Sequence, residues 1–302
     1  MNFFITIFLA LSLCVGSIPF TSADKISVDT NQTASEVSVE TEKKTIGILG
    51  GMGPLATADL MRKIIAVTDA KSDNEHVRVY VDSNTAIPDR TAAILNDGPD
   101  PVPEMLSALR HLEECGADCI LVACNTAHYF LPRLQSETDI PILDMPAITA
   151  KRCAELLPGK TAAILATTGT LDVGIYDKAL AREGVEFLVP DDDERKEIMR
   201  FIYDVVKASK PIPPEKEAWS SLLDGLRERG ADYFILGCTE LPILAESLDD
   251  PGPFVDPTEQ LAREAVLFCG YPVIDDYADD RISTNSETAG TEEQSDDQEK
   301  AA

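Results

Sequence analysis

The chain has 302 residues, 44% of them hydrophobic, enough to bury a sizeable core shared between two domains. Its 53 acidic side chains against 26 Lys and Arg give a formal net charge of −27, which argues against a nucleic-acid groove. Seven cysteines over this length do not make a disulfide scaffold, and three histidines with no CxxC pair argue against zinc.

Residues 3–13 form an apolar block too short for a comfortable membrane span. Its length fits the core of a secretory signal, with cleavage near Ser22-Ala23-Asp24, although no Lys or Arg precedes it. The expectation is a signal or targeting segment over 1–23, hence export or organelle targeting, with no membrane attachment once it is removed. Residues 24–44 are polar and aperiodic and read as a linker. The Asn31-Gln32-Thr33 sequon matters only in a eukaryotic secretory route.

The folded part starts at Thr45–Leu49, a buried strand, followed by Gly50-Gly51-Met52-Gly53-Pro54 and a helix. Glycines there permit a tight turn and close approach of the backbone. The spacing matches neither GxGxxG nor a P-loop. Val77–Val81 is a second strand, the loop Ser83–Thr91 leads to a helix, and Pro101–Cys115 is an amphipathic helix. Gly116–His128 then carries an apolar run that ends on Cys124 and passes directly into Asn125-Thr126-Ala127, and Pro141–Met145 is a fourth strand.

The second half repeats this plan. Thr161–Leu165 and Val185–Val189 read as strands, Glu194–Lys207 and Trp219–Arg229 as helices, and Thr258–Phe268 as a last helix. Gly230–Glu240 is a second apolar run that ends on a cysteine, Cys238, before Thr239 and Glu240. The pairs Ile48/Ile164, Asp118/Asp232, Cys124/Cys238 and Asp144/Asp256 lie 116, 114, 114 and 112 residues apart. Matching order at a near-constant offset predicts two similar three-layer α/β lobes with parallel sheets related by pseudo-two-fold symmetry, spanning 45–146 and 147–272. Residues 273–302 read as an acidic, disordered tail.

A short apolar run suits a strand buried on both faces of a parallel sheet, whose carboxyl end is where ligands bind. Asn125, Thr126 and Thr239 are good N-cap types, and a helix N-terminus lowers the pKa of a nearby thiol. Cys124 and Cys238 are thus candidate reactive thiols, whereas Cys115, Cys119, Cys153 and Cys269 read as buried core. Two thiols facing one cleft suit stereoinversion by proton transfer, one sulfur removing a proton as the other delivers one, each about 3–3.5 Å from its reacting atom. No strong pyridoxal-phosphate signal is present, and no cofactor or metal is expected.

The motifs Ile48-Leu49-Gly50-Gly51-Met52-Gly53-Pro54, Ile87-Pro88-Asp89-Arg90-Thr91, Ala123-Cys124-Asn125-Thr126-Ala127-His128, Leu165–Thr170 and Gly237-Cys238-Thr239-Glu240, taken in this order, resemble the cofactor-independent aspartate/glutamate racemase family from about Thr45 to Tyr271. The resemblance implies that Cys124 and Cys238 are the acid/base pair. It implies that Asn125, Thr126 and Thr239 hold the α-carboxylate and amino group, and that Arg90 and Lys207 pair with a distal carboxylate. Met52, Asn84, Ala127 and Glu240 complete the candidate substrate contacts; Glu240 either orients the ammonium or caps a helix. It also implies a homodimer acting on a small amino acid, aspartate or glutamate. Remaining alternatives are another acid racemase, a decarboxylase or a cis–trans isomerase of the same superfamily, or a two-lobed binding protein for an acidic ligand.

Overall fold

The computed structural model describes residues 43–274; the apolar block, the linker up to residue 42 and the acidic tail from residue 275 lie outside the described residues. In the first half the elements are β1 (Ile46–Gly50), α1 (Pro54–Val67), β2 (Val79–Ser83), α2 (Arg90–Leu95), α3 (Val102–Glu114), β3 (Cys119–Val122), α4 (Leu131–Gln135), β4 (Ile142–Leu143) and α5 (Met145–Leu156). In the second they are β5 (Ala162–Leu165), α6 (Thr168–Asp172), α7 (Ile175–Glu183), β6 (Phe187–Leu188), α8 (Asp192–Met199), α9 (Lys216–Glu228), β7 (Tyr233–Leu236), α10 (Leu241–Ser247), β8 (Phe254–Val255) and α11 (Pro257–Phe268).

The strands form two four-stranded parallel sheets in the same order, β2-β1-β3-β4 and β6-β5-β7-β8. Register repeats too: Ile46 pairs with Val79 and Cys119, and Ala162 with Phe187 and Tyr233. The fold is therefore two-lobed α/β. The outer strands β4, β6 and β8 are only two residues long, whereas the outer strand β2 has five; β4 and β6 are shorter than the predicted strands Pro141–Met145 and Val185–Val189.

The apolar runs make sense as strands covered on both faces. On β3, Cys119, Leu121 and Ala123 face the core shared with α1, while Ile120, Val122 and Cys124 face α3. On β7, Phe234, Leu236 and Cys238 face α9 and α10, while Tyr233 and Ile235 face α5 and α7. Each such aliphatic or aromatic side chain contributes about 1.5–3 kcal/mol relative to exposure. Three of the four cysteines read as core are buried, but Cys115 is exposed, because it ends α3 on the solvent side.

The lobes are not independent along the chain. Leu261, Ala262, Ala265 and Val266 of α11 pack into the core of the first sheet, with Ile46, Ile48 and Leu60. The last helix of the second half thus covers the first lobe, and it also packs against α5. Asp144 and Asp256, the acid pair of the repeat, cap these two helices: Asp144 accepts from Ala147 N, and Asp256 from Thr258 N and Glu259 N. Each cap precedes a proline in the first turn, the position where a missing N–H costs nothing.

Candidate active site

Both cysteines stand two residues beyond the carboxyl end of their strands, each 6% exposed. The turn after β1 brings the two halves together. Gly51 has φ of +89°, and a Cβ there would meet the Asn84 backbone at 2.4 Å, so only glycine fits. A Cβ on Gly53 would stand 3.2 Å from Glu240 Oε1, so this glycine leaves room for the other lobe.

Between these glycines, the Met52 carbonyl is a junction. Arg90 Nη2 donates to it at 2.7 Å and Lys207 Nζ at 3.2 Å. Arg90 is buried, with Nη1 also donating to the Pro88 carbonyl at 2.9 Å. Burial pulls the Arg90 pKa down, but the bordering Cys124 sulfur and the Asp89 carboxylate outweigh it and hold it above its ordinary value. Lys207 Nζ pairs with Glu240 Oε1 at 2.6 Å, and the Cys238 thiol donates to Glu240 Oε2 at 3.0 Å. Burial lowers the Lys207 pKa; Glu240 and both cysteine sulfurs more than offset this, so one ammonium feels both thiols. A continuous path thus runs Cys124, Arg90, Met52 carbonyl, Lys207, Glu240, Cys238.

Lys207 follows a segment in which α8 does not continue as a regular α-helix. Residues Arg200–Val206 form a π-helical segment, and Lys207 N donates to Ile202 O at 3.0 Å, a five-residue span. The sequence predicts a uniform helix over Glu194–Lys207; the widened turn shifts its phase, as such insertions do at functional sites. From the same segment Tyr203 OH donates to Asp89 Oδ2 at 2.9 Å, a second bond between halves.

On the other side, Asn125 Oδ1 accepts from Tyr176 OH at 2.5 Å, and Thr126 Oγ1 lies 2.9 Å from the hydroxyls of both Thr167 and Thr170. Arg90 Nε and Asn125 Nδ2 are buried with no hydrogen-bond partner among the described residues. Buried donors are rarely left so, and a carboxylate ligand has the acceptors they lack. Ala127 is fully buried beside them in sequence. Asn84 is committed elsewhere: Nδ2 donates to Glu104 O and Oε2, and Oδ1 accepts from Ala86 N, so its side chain braces the loop on α3.

Two expectations are corrected. Asn125 precedes a 3₁₀ turn without a side-chain cap bond, and the N-cap of α10 is Glu240, not Thr239. Burial, with the Glu240 carboxylate adding to it, pushes the Cys238 thiol well above its ordinary pKa, opposite to the lowering expected from a helix N-terminus. A full carboxylate at hydrogen-bond distance outweighs the partial charge of a helix end. Tyr176, Tyr203, Thr167 and Thr170 are the residues that the candidate set lacks. The threonines lie in the Leu165–Thr170 motif that follows β5; the tyrosines carry no local signal at all.

His128 secures the Cys124 backbone. A carbonyl only accepts and an amide N–H only donates, so the tautomer follows. Nδ1–H donates to Cys124 O at 2.9 Å and Nε2 accepts from Met145 N at 3.2 Å. Burial pushes its pKa down, more than Asp144 raises it. A base depressed in the folded state lends stability above its unfolded value of about 6.5, and that stability is lost as pH falls below it. Melting curves at successively lower pH are expected to show this loss, and a shallower one in His128→Gln; equal slopes would remove His128 as its source.

Residues 49–265 match the family model described as Asp/Glu/Hydantoin racemase. The chain is similar to the solved aspartate racemase of Picrophilus torridus, at 30% identity, TM-score 0.67, covering 78% of this chain and 99% of that one. It is also similar to an aspartate racemase homologue from Pyrococcus horikoshii OT3, at 26% identity, TM-score 0.61, covering 75% and 99%. A curated relative, the broad specificity amino-acid racemase RacX of Bacillus subtilis, is 26% identical over 227 residues, 73% of this chain and 96% of the relative.

Proposed function

Because this chain belongs to the Asp/Glu/hydantoin racemase family, we propose that it interconverts L- and D-aspartate by a two-base mechanism carried by Cys124 and Cys238. One sulfur, as thiolate, takes the Cα proton; the other, as thiol, delivers its own proton to the opposite face. The two sulfurs exchange protonation states in each turnover, and no other atom changes hands. Arg90 and Lys207 receive the distal carboxylate, and the unpartnered donors of Asn125 and Arg90 receive substrate oxygens. Thr126 and Thr239 line the same strand ends. The protein acts as a homodimer in this reading.

The observation that supports it best is the shared Met52 carbonyl. Through it the cation beside Cys124 and the cation tied to Cys238 by way of Glu240 hang from one atom. Two cations at one junction in a chain of net charge −27 suit a substrate with two carboxylates.

Solvent exchange tests this reading. L-aspartate and L-glutamate, each incubated with the protein in deuterated water, are followed by the Cα proton signal and by chiral chromatography. Aspartate is expected to lose that proton and yield deuterated D-aspartate, faster than glutamate reacts. A retained proton with no D-aspartate would reject racemisation, and faster exchange with glutamate would reassign the substrate.

A further inference from the structure

The repeat that makes the two strands alike stops just after each cysteine. The first copy continues Asn125-Thr126, the second Thr239-Glu240, so a hydroxyl stands in one lobe where a carboxylate stands in the other. In space, Cys124 borders the Arg90 guanidinium, whereas the Cys238 thiol donates to Glu240 Oε2 at 3.0 Å. Glu240 is 3% exposed, and its other oxygen holds Lys207 Nζ at 2.6 Å, which fixes the carboxylate in place.

We infer that Glu240 is a positioning residue that makes the two sulfurs inequivalent, holding Cys238 as the proton donor of the resting protein and leaving Cys124, beside Arg90, as the acceptor. This rests on the racemisation proposed above for the same site. The groups that face Cys238 are Glu240 on its own segment and Lys207 and Tyr203 on the π-helical segment. Burial and Glu240 favour the thiol, Lys207 favours the thiolate, and the first two prevail. The resting protein therefore takes the enantiomer that turns its Cα–H towards Cys124. To take the other, the pair must first trade one proton, lost from Cys238 Sγ and gained by Cys124 Sγ.

Thiol alkylation reads this without turnover. Iodoacetamide labelling of the full chain, quantified for each cysteine by peptide mass spectrometry across pH, gives separate profiles for Cys124, Cys238 and the exposed reference Cys115. Cys124 is expected to label before Cys238. Glu240→Gln keeps the shape and removes the charge, so the Cys238 midpoint should fall by about one unit or more, roughly tenfold faster labelling at neutral pH, with the Cys124 and Cys115 midpoints unmoved. Lys207→Met, which removes the opposing charge, should move the Cys238 midpoint upwards. A Cys238 midpoint unmoved in Glu240→Gln, Cys238 labelling ahead of Cys124 in the native protein, or both buried cysteines accelerating together with unchanged midpoints as in a loosened cleft, would each overturn the inference. Failure of deuterium exchange with these shifts intact would instead count against racemisation.

Discussion

Replacing either cysteine by alanine is expected to lower aspartate racemisation by about a thousandfold or more while the fold persists. A positioned acid or base contributes about 10²–10⁴-fold, and a two-base reaction loses a partner on one face of the carbon in each variant. The fold should persist because each substitution removes one sulfur atom just past the carboxyl end of its strand, where the core gives way to polar partners: Arg90 beside Cys124, Glu240 against Cys238. Chiral chromatography of D-aspartate, alongside thermal melting of each variant, checks both halves of the expectation. A Cys124→Ala or Cys238→Ala protein with more than about a tenth of native activity would end the paired assignment.

The largest effect on stability is expected at Lys63. This α1 lysine is buried, with Nζ paired to Asp59 on its own helix and, at 2.5 Å, to Asp256 at the start of α11. Burial alone lowers its pKa, yet Asp256 and Asp59 outweigh it and the net shift is upward. A lysine raised in the folded state contributes stability that is complete below about pH 10.4 and lost only as pH climbs through its folded value. Lys63→Met leaves the Asp59 and Asp256 carboxylates close together with Arg62 as the remaining cation on Asp59, which costs about 3 kcal/mol, about 10 °C in melting temperature for a domain of this size. Adding Asp59→Asn and Asp256→Asn should recover a large part of it, because the loss lies in unpaired charge rather than packing. A Lys63→Met protein that melts within about 2 °C of the native one would refute this.

Much of the architecture was legible in the sequence because buried parallel strands leave a strong mark. The runs before Cys124 and Cys238, their equal offset and the acids Asp144 and Asp256 together implied two like sheets, and the sheets have identical strand order. What escaped was whatever depends on contacts distant along the chain. Nothing in Pro257–Phe268 tells that its apolar face lies on the first sheet, since an amphipathic helix fits either lobe equally well. The π-helical turn that carries Tyr203 and Lys207 looks from composition like ordinary helix. The environment of Cys238 departs from that of a bare helix end because the thiol is buried and donates to the carboxylate two residues on. Tyr176 and Tyr203 act across the cleft, where no spacing rule reaches.

The polypeptide passes between the lobes at two places, into α5 behind Asp144 and into α11 behind Asp256, and these two helices lie against each other. A door hung at two adjacent points swings about one line and cannot slide or twist freely. Two adjacent crossings leave rotation about that line as the least hindered relative motion of the halves, and Tyr203–Asp89, Lys207–Met52 and Tyr176–Asn125 bridge them elsewhere. Under the proposed racemisation, such a constraint would hold the two cysteine-bearing strand ends in one register, which a proton hand-over sensitive to fractions of an ångström demands.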